Sequence, residues 1–165
     1  SYGEIDSDKL KFDEKQKGIA RQTLLRQFST TRFTPDRWSD VVKKTQATLN
    51  ITEITAMDLQ QELTGETPSS SFQLPVVIDV REAHEIKNGK IPHAVCLSRG
   101  VLELGIEKVI QPGCERPIVL YCAGGYRSIM AAEALIRMGY KKEQLKSLKG
   151  GYGAWRKLGC EIQSN

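Results

Sequence analysis

The sequence lacks the features that would place the protein in a membrane or in a disulfide-stabilised class. No apolar run approaches the ~20 residues that a membrane-spanning helix needs. The first residues do not show the basic segment followed by an apolar one that is typical of a secretory signal. The four cysteines form no C-x-x-C pair, and with only two histidines in the chain no zinc-binding pattern emerges. We therefore expect reduced thiols, no metal site and a cytoplasmic protein without membrane contact.

A large excess of charge is also absent, since the formal net charge is only +4. The most basic stretch runs from Lys15 to Thr34 and holds five basic residues and no acidic one. It lacks a basic-aromatic motif, so we interpret it as solvated surface and expect no nucleic-acid partner. The segment "ARQTLLRQFSTTRF" also has the Arg- and Ser/Thr-rich composition of organelle transit peptides, which leaves an organellar location as the alternative.

Short apolar segments alternate with helical segments through most of the chain. "VVIDV" and "PIVLYC" are continuous apolar runs, which is typical of strands buried on both faces of a sheet. Strands are predicted at 51–54, 76–80, 94–97, 117–122 and 144–148, and helices at 55–63, 81–89, 99–110, 128–138 and 150–158. This order predicts an α/β domain with a parallel central sheet of about five strands and helices on both faces.

The first fifty residues are predicted to form a helical extension in front of a domain at 51–165. Within the extension, "TPDRWSDVVKKTQATL" is the best helix, with Thr34 as its cap and Pro35 in its first turn. Its apolar residues Trp38, Val41 and Val42 fall on one face. We expect this face to pack on the domain. The alternative is a docking arm for a protein partner.

The segment "VLYCAGGYRS" carries the strongest chemical signal. A buried strand ends at Cys122, two glycines follow, and a helix is predicted from Ser128. Gly124 and Gly125 permit unusual backbone angles, so the N–H groups of the loop can point inward. The helix N-terminus and Arg127 add positive charge. Together they are expected to hold Cys122 as a thiolate, or to hold an anion attached to its sulfur.

Four motifs in one order resemble those of rhodanese-type sulfurtransferases, over about Ile51 to Ile162. "CAGGYRS" matches the C-x-x-G-x-R-S active-site loop of that family, and "VVIDVREAHE" resembles its D-V-R strand end and following helix. "NGKIPHAVCLSRG" is similar to its G-H-I-P-G-A segment, with Lys90 and His93 as departures, and "LKGGYGAWRKLG" to its closing G-G-x-x-A-W segment.

The resemblance implies a sulfurtransferase that needs no cofactor. Cys122 would take a sulfur from a small anionic donor such as thiosulfate and pass it to a thiol, small or protein-borne, or to cyanide. Arg127 would orient the loop and pair with an acidic residue. The persulfide would be bound by the remaining loop residues, which are Ala123, Gly124, Gly125, Tyr126 and Ser128. Further pocket candidates at neighbouring strand ends are Asp79, Arg81 and Arg99, although both arginines also fit ordinary surface positions.

Two other functions remain open from the sequence. Cysteine phosphatases and arsenate reductases also place a cysteine loop and an arginine at a helix N-terminus. Their loops usually hold five residues between the cysteine and the arginine, whereas this chain has four, from Ala123 to Tyr126. The third interpretation is a non-catalytic binding or regulatory module, against which the cysteine, the glycines and the arginine argue.

Overall fold

Five short parallel strands form the central sheet of the protein. The computed structural model describes residues 35–65 and 73–164. The strands lie side by side in the order β1-β5-β4-β2-β3, and every neighbouring pair is parallel. They are β1 Thr52–Ile54, β2 Val76–Asp79, β3 Val95–Cys96, β4 Ile118–Tyr121 and β5 Leu145–Leu148. The predicted α/β class with a parallel sheet is confirmed.

Helices cover both faces of this sheet, as the sequence predicts. The α-helices are α1 Trp38–Leu49, α2 Ala56–Thr64, α3 Ala83–Ile86, α4 Leu102–Gly105, α5 Tyr126–Arg137 and α6 Gly151–Lys157. One face packs its Ile78 and Leu120 side chains against α1, α4 and α5. The other face packs Val77 and Val119 against α2 and α6. Alternate residues of β2 and β4 therefore serve opposite layers, which is why both strands are apolar at nearly every position.

Helix α1 belongs to the same compact unit as the sheet, which runs from Arg37 to Asn165. Its residue Val42 is 4% exposed and lies in the core cluster beside α5. A boundary drawn after residue 50 would thus separate α1 from the domain on which it packs. The predicted start was wrong: Arg37 is extended, so the helix begins at Trp38 and Pro35 precedes it. Thr34 and the basic run from Lys15 lie outside the described residues.

Three further helices differ clearly from the prediction, and the one predicted over 81–89 is a single turn, Ala83–Ile86. Helix α5 begins at Tyr126 because Gly125, at φ 99°, takes the left-handed conformation that caps it. The segment 99–110 is not one helix but an α-turn, α4, between two 3₁₀ turns. It breaks at Gly105, a poor helix former whose lack of a Cβ leaves room for the Leu97 side chain.

The capping prediction for α2 is confirmed by a reciprocal pair. The Thr55 hydroxyl oxygen accepts from the Asp58 N–H at 3.1 Å, and the Asp58 carboxylate accepts from the Thr55 N–H at 3.0 Å. Within the described residues, no helix is long and apolar enough to cross a membrane.

Candidate active site

The cysteine loop lies at the carboxyl end of β4, in the middle of the sheet. Cys122 follows the last residue of this strand and is only 1% exposed. The chain then reverses through Gly124 and Gly125 into α5, and the Gly125 N–H points back to the Cys122 Sγ at 3.1 Å. Of the two glycines, Gly125 is the one at positive φ, while Gly124 is not. The loop thus places a main-chain donor and the start of a twelve-residue helix beside the sulfur.

Two buried serine hydroxyls form a series of hydrogen bonds that supports the cysteine loop from the neighbouring strand β5. Ser147 of β5 donates to the Ser128 Oγ at 2.8 Å, and Ser128 donates to the Gly125 carbonyl oxygen at 3.0 Å. Both serines are fully buried, and the Ser128 Oγ lies 3.8 Å from the Cys122 Sγ. Since the same Gly125 presents its N–H to the sulfur, this series of hydrogen bonds fixes the donor that faces Cys122.

The start of α6 holds the loop from its other side. The Tyr152 N–H donates to the Cys122 carbonyl oxygen at 2.7 Å, and the Gly153 N–H donates to the Ala123 oxygen at 3.0 Å. This close approach needs Gly151, which sits at φ 57° and whose added Cβ would collide with the Cys122 oxygen. The closing "GGYGAW" segment is therefore a clamp on the cysteine loop.

Arg127 does not face the sulfur with a free charge, because it is paired with Glu85 of α3. The two side chains form a two-pronged contact, Nη1 to Oε2 at 2.7 Å and Nη2 to Oε1 at 2.8 Å. The hydrogen bonds from Arg127 hold the pKa of Glu85 down at about 2, and the same contact raises the pKa of Arg127. The pair ties α3 to the first turn of α5, which orients the loop.

Asp79 and Arg81 form a buried ion pair instead of lining the pocket. Asp79 is fully buried and Arg81 is 2% exposed, and the Arg81 Nη2 donates to the Asp79 Oδ2 at 2.6 Å. The Asp79 carboxylate also accepts from the Tyr121 hydroxyl at 2.6 Å, and the Arg81 guanidinium stacks 3.9 Å from the centre of the Tyr152 ring. Arg81 also donates to the carbonyl oxygens of Glu85 and Gly89. Arg81 is therefore neither the pocket residue nor the ordinary surface residue that the sequence allowed, because its charge is buried and compensated.

Arg99 does not line the cavity around Cys122 either. Its Nη1 pairs with Glu103 at 2.9 Å, one helical turn along the chain. The residues that line the cavity at the sulfur are Trp38, Cys122, Gly124, Tyr126 and Arg127. Of the predicted set, Cys122, Gly124, Tyr126 and Arg127 line this cavity, whereas Ala123, Gly125 and Ser128 belong to the loop without lining it, and Asp79, Arg81 and Arg99 do not line it either.

The other three cysteines are free thiols at separate positions. Cys96 and Cys114 are exposed and Cys160 is buried. Burial raises the pKa of Cys96 and of Cys160 above the usual thiol value. Among the described residues, no group of histidine, cysteine or acidic side chains is arranged to hold a metal ion.

Four residues of this site were not identified in the sequence. Glu85 was left unnamed as the acidic partner of Arg127, although its place in the "REAHE" segment was the available signal. The positions of Ser147 and Gly151 depend on the pairing of β5 with β4 and on the turn into α6. Trp38 was assigned to a packing face, yet 51% of it is exposed and it lines the cavity at Cys122.

Known proteins resemble this chain in sequence and in fold. A protein-family model described as "Rhodanese-like domain" matches residues 56–158. A "Sulfurtransferase" of Allochromatium vinosum is 31% identical over 87 residues, which cover 53% of this chain and 77% of that protein. A "Thiosulfate sulfurtransferase GlpE" of Coxiella burnetii is 32% identical over 81 residues, covering 49% of this chain and 71% of that protein.

A solved structure from Rhodopseudomonas palustris also has this fold, with a TM-score of 0.65 and 29% identity. The similarity covers 81% of this chain and 99% of that one. That protein is described as of unknown function and as a "Possible Tyrosine Phosphatase".

Proposed function

The chain belongs to the rhodanese-like domain family, and from this premise we propose that it is a sulfurtransferase that carries sulfur on Cys122. The observation that carries the proposal is the Gly125 N–H aimed at the Cys122 Sγ at the N-terminus of α5. A main-chain donor and a helix N-terminus stabilise negative charge on a sulfur that has received a second sulfur atom. The sulfurtransferase names of the relatives support the same chemistry.

The first half-reaction loads the cysteine. The Cys122 thiolate attacks the outer sulfur of thiosulfate, the sulfur–sulfur bond of the donor breaks, and sulfite leaves with the electron pair. The cysteine is then a persulfide, Cys122–S–S⁻, in the cradle of the loop. No proton has to be delivered to the leaving group, because sulfite is a stable anion.

The second half-reaction returns the enzyme to its starting state. An acceptor thiolate attacks the outer sulfur of the persulfide, the bond between the two sulfurs breaks, and Cys122 leaves as a thiolate. The acceptor departs as a persulfide, or as thiocyanate when cyanide is the acceptor. Neither half-reaction needs a cofactor.

Phosphatase chemistry is the competing function, given the description of the R. palustris structure. Two observations argue against it in this chain. The loop between Cys122 and Arg127 holds four residues, and both terminal nitrogens of Arg127 are engaged by Glu85. Phosphoester cleavage also gains roughly 10²–10⁴ in rate from a general acid, and the residues that line the cavity include no carboxylic acid or histidine.

The test is the intact mass of the protein after incubation with thiosulfate and removal of excess donor. The full chain and a Cys114→Ser control should each gain the mass of one sulfur atom, whereas Cys122→Ser should gain none. The loaded protein should release thiocyanate when cyanide is added. Rapid hydrolysis of p-nitrophenyl phosphate without any gain of sulfur would favour the phosphatase instead.

A further inference from the structure

The cavity above Cys122 has an aromatic rim, and one of its two aromatic residues lies outside the residues that the family model matches. Trp38 of α1 and Tyr126 of α5 both line this cavity, and they are 51% and 49% exposed. Cys122 at its base is 1% exposed. The family match begins at residue 56, so α1 and its Trp38 lie outside the residues that the family model covers.

Helix packing explains why Trp38 reaches the rim. Trp38 and Val42 are four residues apart and therefore share one face of α1. Val42 is buried with Ile129 in the core cluster between α1 and α5. Because α5 begins at Tyr126, this face of α1 reaches the N-terminal end of α5 at Trp38, which lines the cavity together with Gly124 and Tyr126.

The charges at the rim do not favour a small inorganic anion as the only ligand. Arg127 is the cationic side chain that lines the cavity, and its charge is compensated by Glu85 at 2.7 Å. The cavity volume of about 620 Å³ is large for a sulfur oxyanion and lies within the ~300–1,000 Å³ typical of organic ligands. Two half-exposed aromatic rings instead offer flat apolar faces for stacking.

We propose that Trp38 and Tyr126 form a subsite for the flat, apolar body of an organic thiol that accepts sulfur from Cys122. This inference rests on the proposed function, since it names the acceptor class of the same site. The thiolate of the acceptor attacks the outer sulfur of Cys122–S–S⁻, the bond between the sulfurs breaks, and Cys122 leaves as a thiolate. The aromatic rim holds the body of the acceptor while its sulfur reaches down to the persulfide. Trp38 is a specificity-determining residue and is not required for loading.

The test measures discharge of the loaded protein by three acceptors: cyanide, 2-mercaptoethanol and benzyl mercaptan. In Trp38→Ala the rate constant with benzyl mercaptan should fall about tenfold, which corresponds to ~1.4 kcal/mol and is within the range of aromatic contacts and their burial. The rate with cyanide should stay within about twofold on the same grounds, because cyanide is too small to contact the rim. Trp38→Phe should retain most of the rate with benzyl mercaptan. Leu104→Ala, which shortens a side chain that is 81% exposed, is the control for removal of surface apolar area.

Comparing each variant with the unchanged protein for one acceptor at a time removes differences in thiol reactivity. An equal loss for all three acceptors, or no loss for any, would overturn the subsite. Absence of sulfur on Cys122 of the unchanged protein would overturn the proposed function itself, before any acceptor is added.

A binding measurement that needs no turnover completes the test. The chain has two tryptophans, and Trp155 is buried at 2% exposure, so Trp38 is the one that a ligand in the cavity can reach. Benzyl methyl sulfide added to Cys122→Ser should change the tryptophan fluorescence. The change should disappear when Trp38→Phe is added, and its persistence there would place the ligand elsewhere.

Discussion

Glu85 and Arg127 join two elements that are 42 residues apart in the chain, through paired hydrogen bonds of 2.7 and 2.8 Å. The pair is partly shielded from solvent, with the two side chains 22% and 29% exposed. It links the short helix after β2 to the first turn of α5, directly beyond the cysteine loop. The ion pair therefore orients the loop, and the charge of Arg127 is compensated by Glu85 and does not bind the ligand.

Replacing Glu85 by Gln should destabilise the protein in a pH-dependent way. The pKa of Glu85 is about 2 in the folded protein and 4.5 ordinarily, so its stabilising contribution is complete above pH ~4.5 and is lost as the pH falls towards 2. At pH 7 we expect a loss of about 1–2 kcal/mol, since charged hydrogen bonds contribute ~1.5–3 kcal/mol and partial exposure weakens this pair. Urea unfolding at pH 7 and at pH 3 measures the difference.

The matched control for that variant is Glu103→Gln. Glu103 pairs with Arg99 one turn away at the surface, so its loss should cost at most ~0.5 kcal/mol. Equal losses of unfolding free energy in Glu85→Gln and Glu103→Gln would show that the Glu85–Arg127 pair stabilises the protein no more than a surface pair does.

Ser147→Ala should slow the loading of sulfur without touching the cavity. The Ser147 hydroxyl supports Ser128, which in turn holds the Gly125 carbonyl oxygen, so its removal loosens the N–H that faces Cys122. We expect a stability loss of about 1 kcal/mol for the broken buried hydrogen bond and a several-fold slower gain of sulfur mass. A double-mutant cycle with Ser128→Ala should show non-additive losses, because the two hydroxyls act in one chain.

Local sequence patterns were enough to predict the scaffold. The buried strands β2 and β4 follow from their apolar runs, and the cap of α2 follows from Thr55 and Asp58. Each of these features is determined within a few residues, by burial in the first case and by capping in the second. The cysteine loop was predicted for the same reason.

Contacts between distant segments account for what the sequence did not reveal. Arg81 fits an exposed helix start when it is considered alone, and only the fold shows Asp79, Tyr121 and Tyr152 around it. Likewise the apolar face of α1 predicts packing, but not that α5 begins only at Tyr126 and leaves Trp38 at the cavity. Such positions depend on the relative lengths of neighbouring elements, which no local pattern encodes.

Val42→Ala should measure how strongly α1 is held on the domain. Val42 is 4% exposed and packs in the core cluster, so removing its methyl groups should cost about 1–3 kcal/mol. Lys43→Ala, at the neighbouring exposed position, should leave the unfolding midpoint unchanged.

Deletion of residues 1–50 should lower the melting temperature while sulfur transfer remains measurable. An unchanged midpoint in Val42→Ala and in the deletion would point to an arm that is kept for a partner.

Gly151→Ala should disturb the cysteine loop more than Gly124→Ala, although Gly124 belongs to the loop itself and Gly151 does not. Gly151 sits at φ 57°, and an added Cβ would collide with the Cys122 carbonyl oxygen and crowd Ala123. Backbone cannot give way as a flexible side chain can, so either the loop or the start of α6 must move. Strain at a left-handed position adds ~1–2 kcal/mol to the steric cost, and we expect more than 2 kcal/mol in total.

Gly124→Ala is the matched control, because its φ is not positive and no atom lies within 4 Å of the added Cβ. Thermal unfolding together with the gain of sulfur mass should separate the two: Gly151→Ala loses both, and Gly124→Ala retains its melting temperature. If Gly151→Ala melts with the unchanged protein and loads sulfur normally, α6 does not clamp the loop.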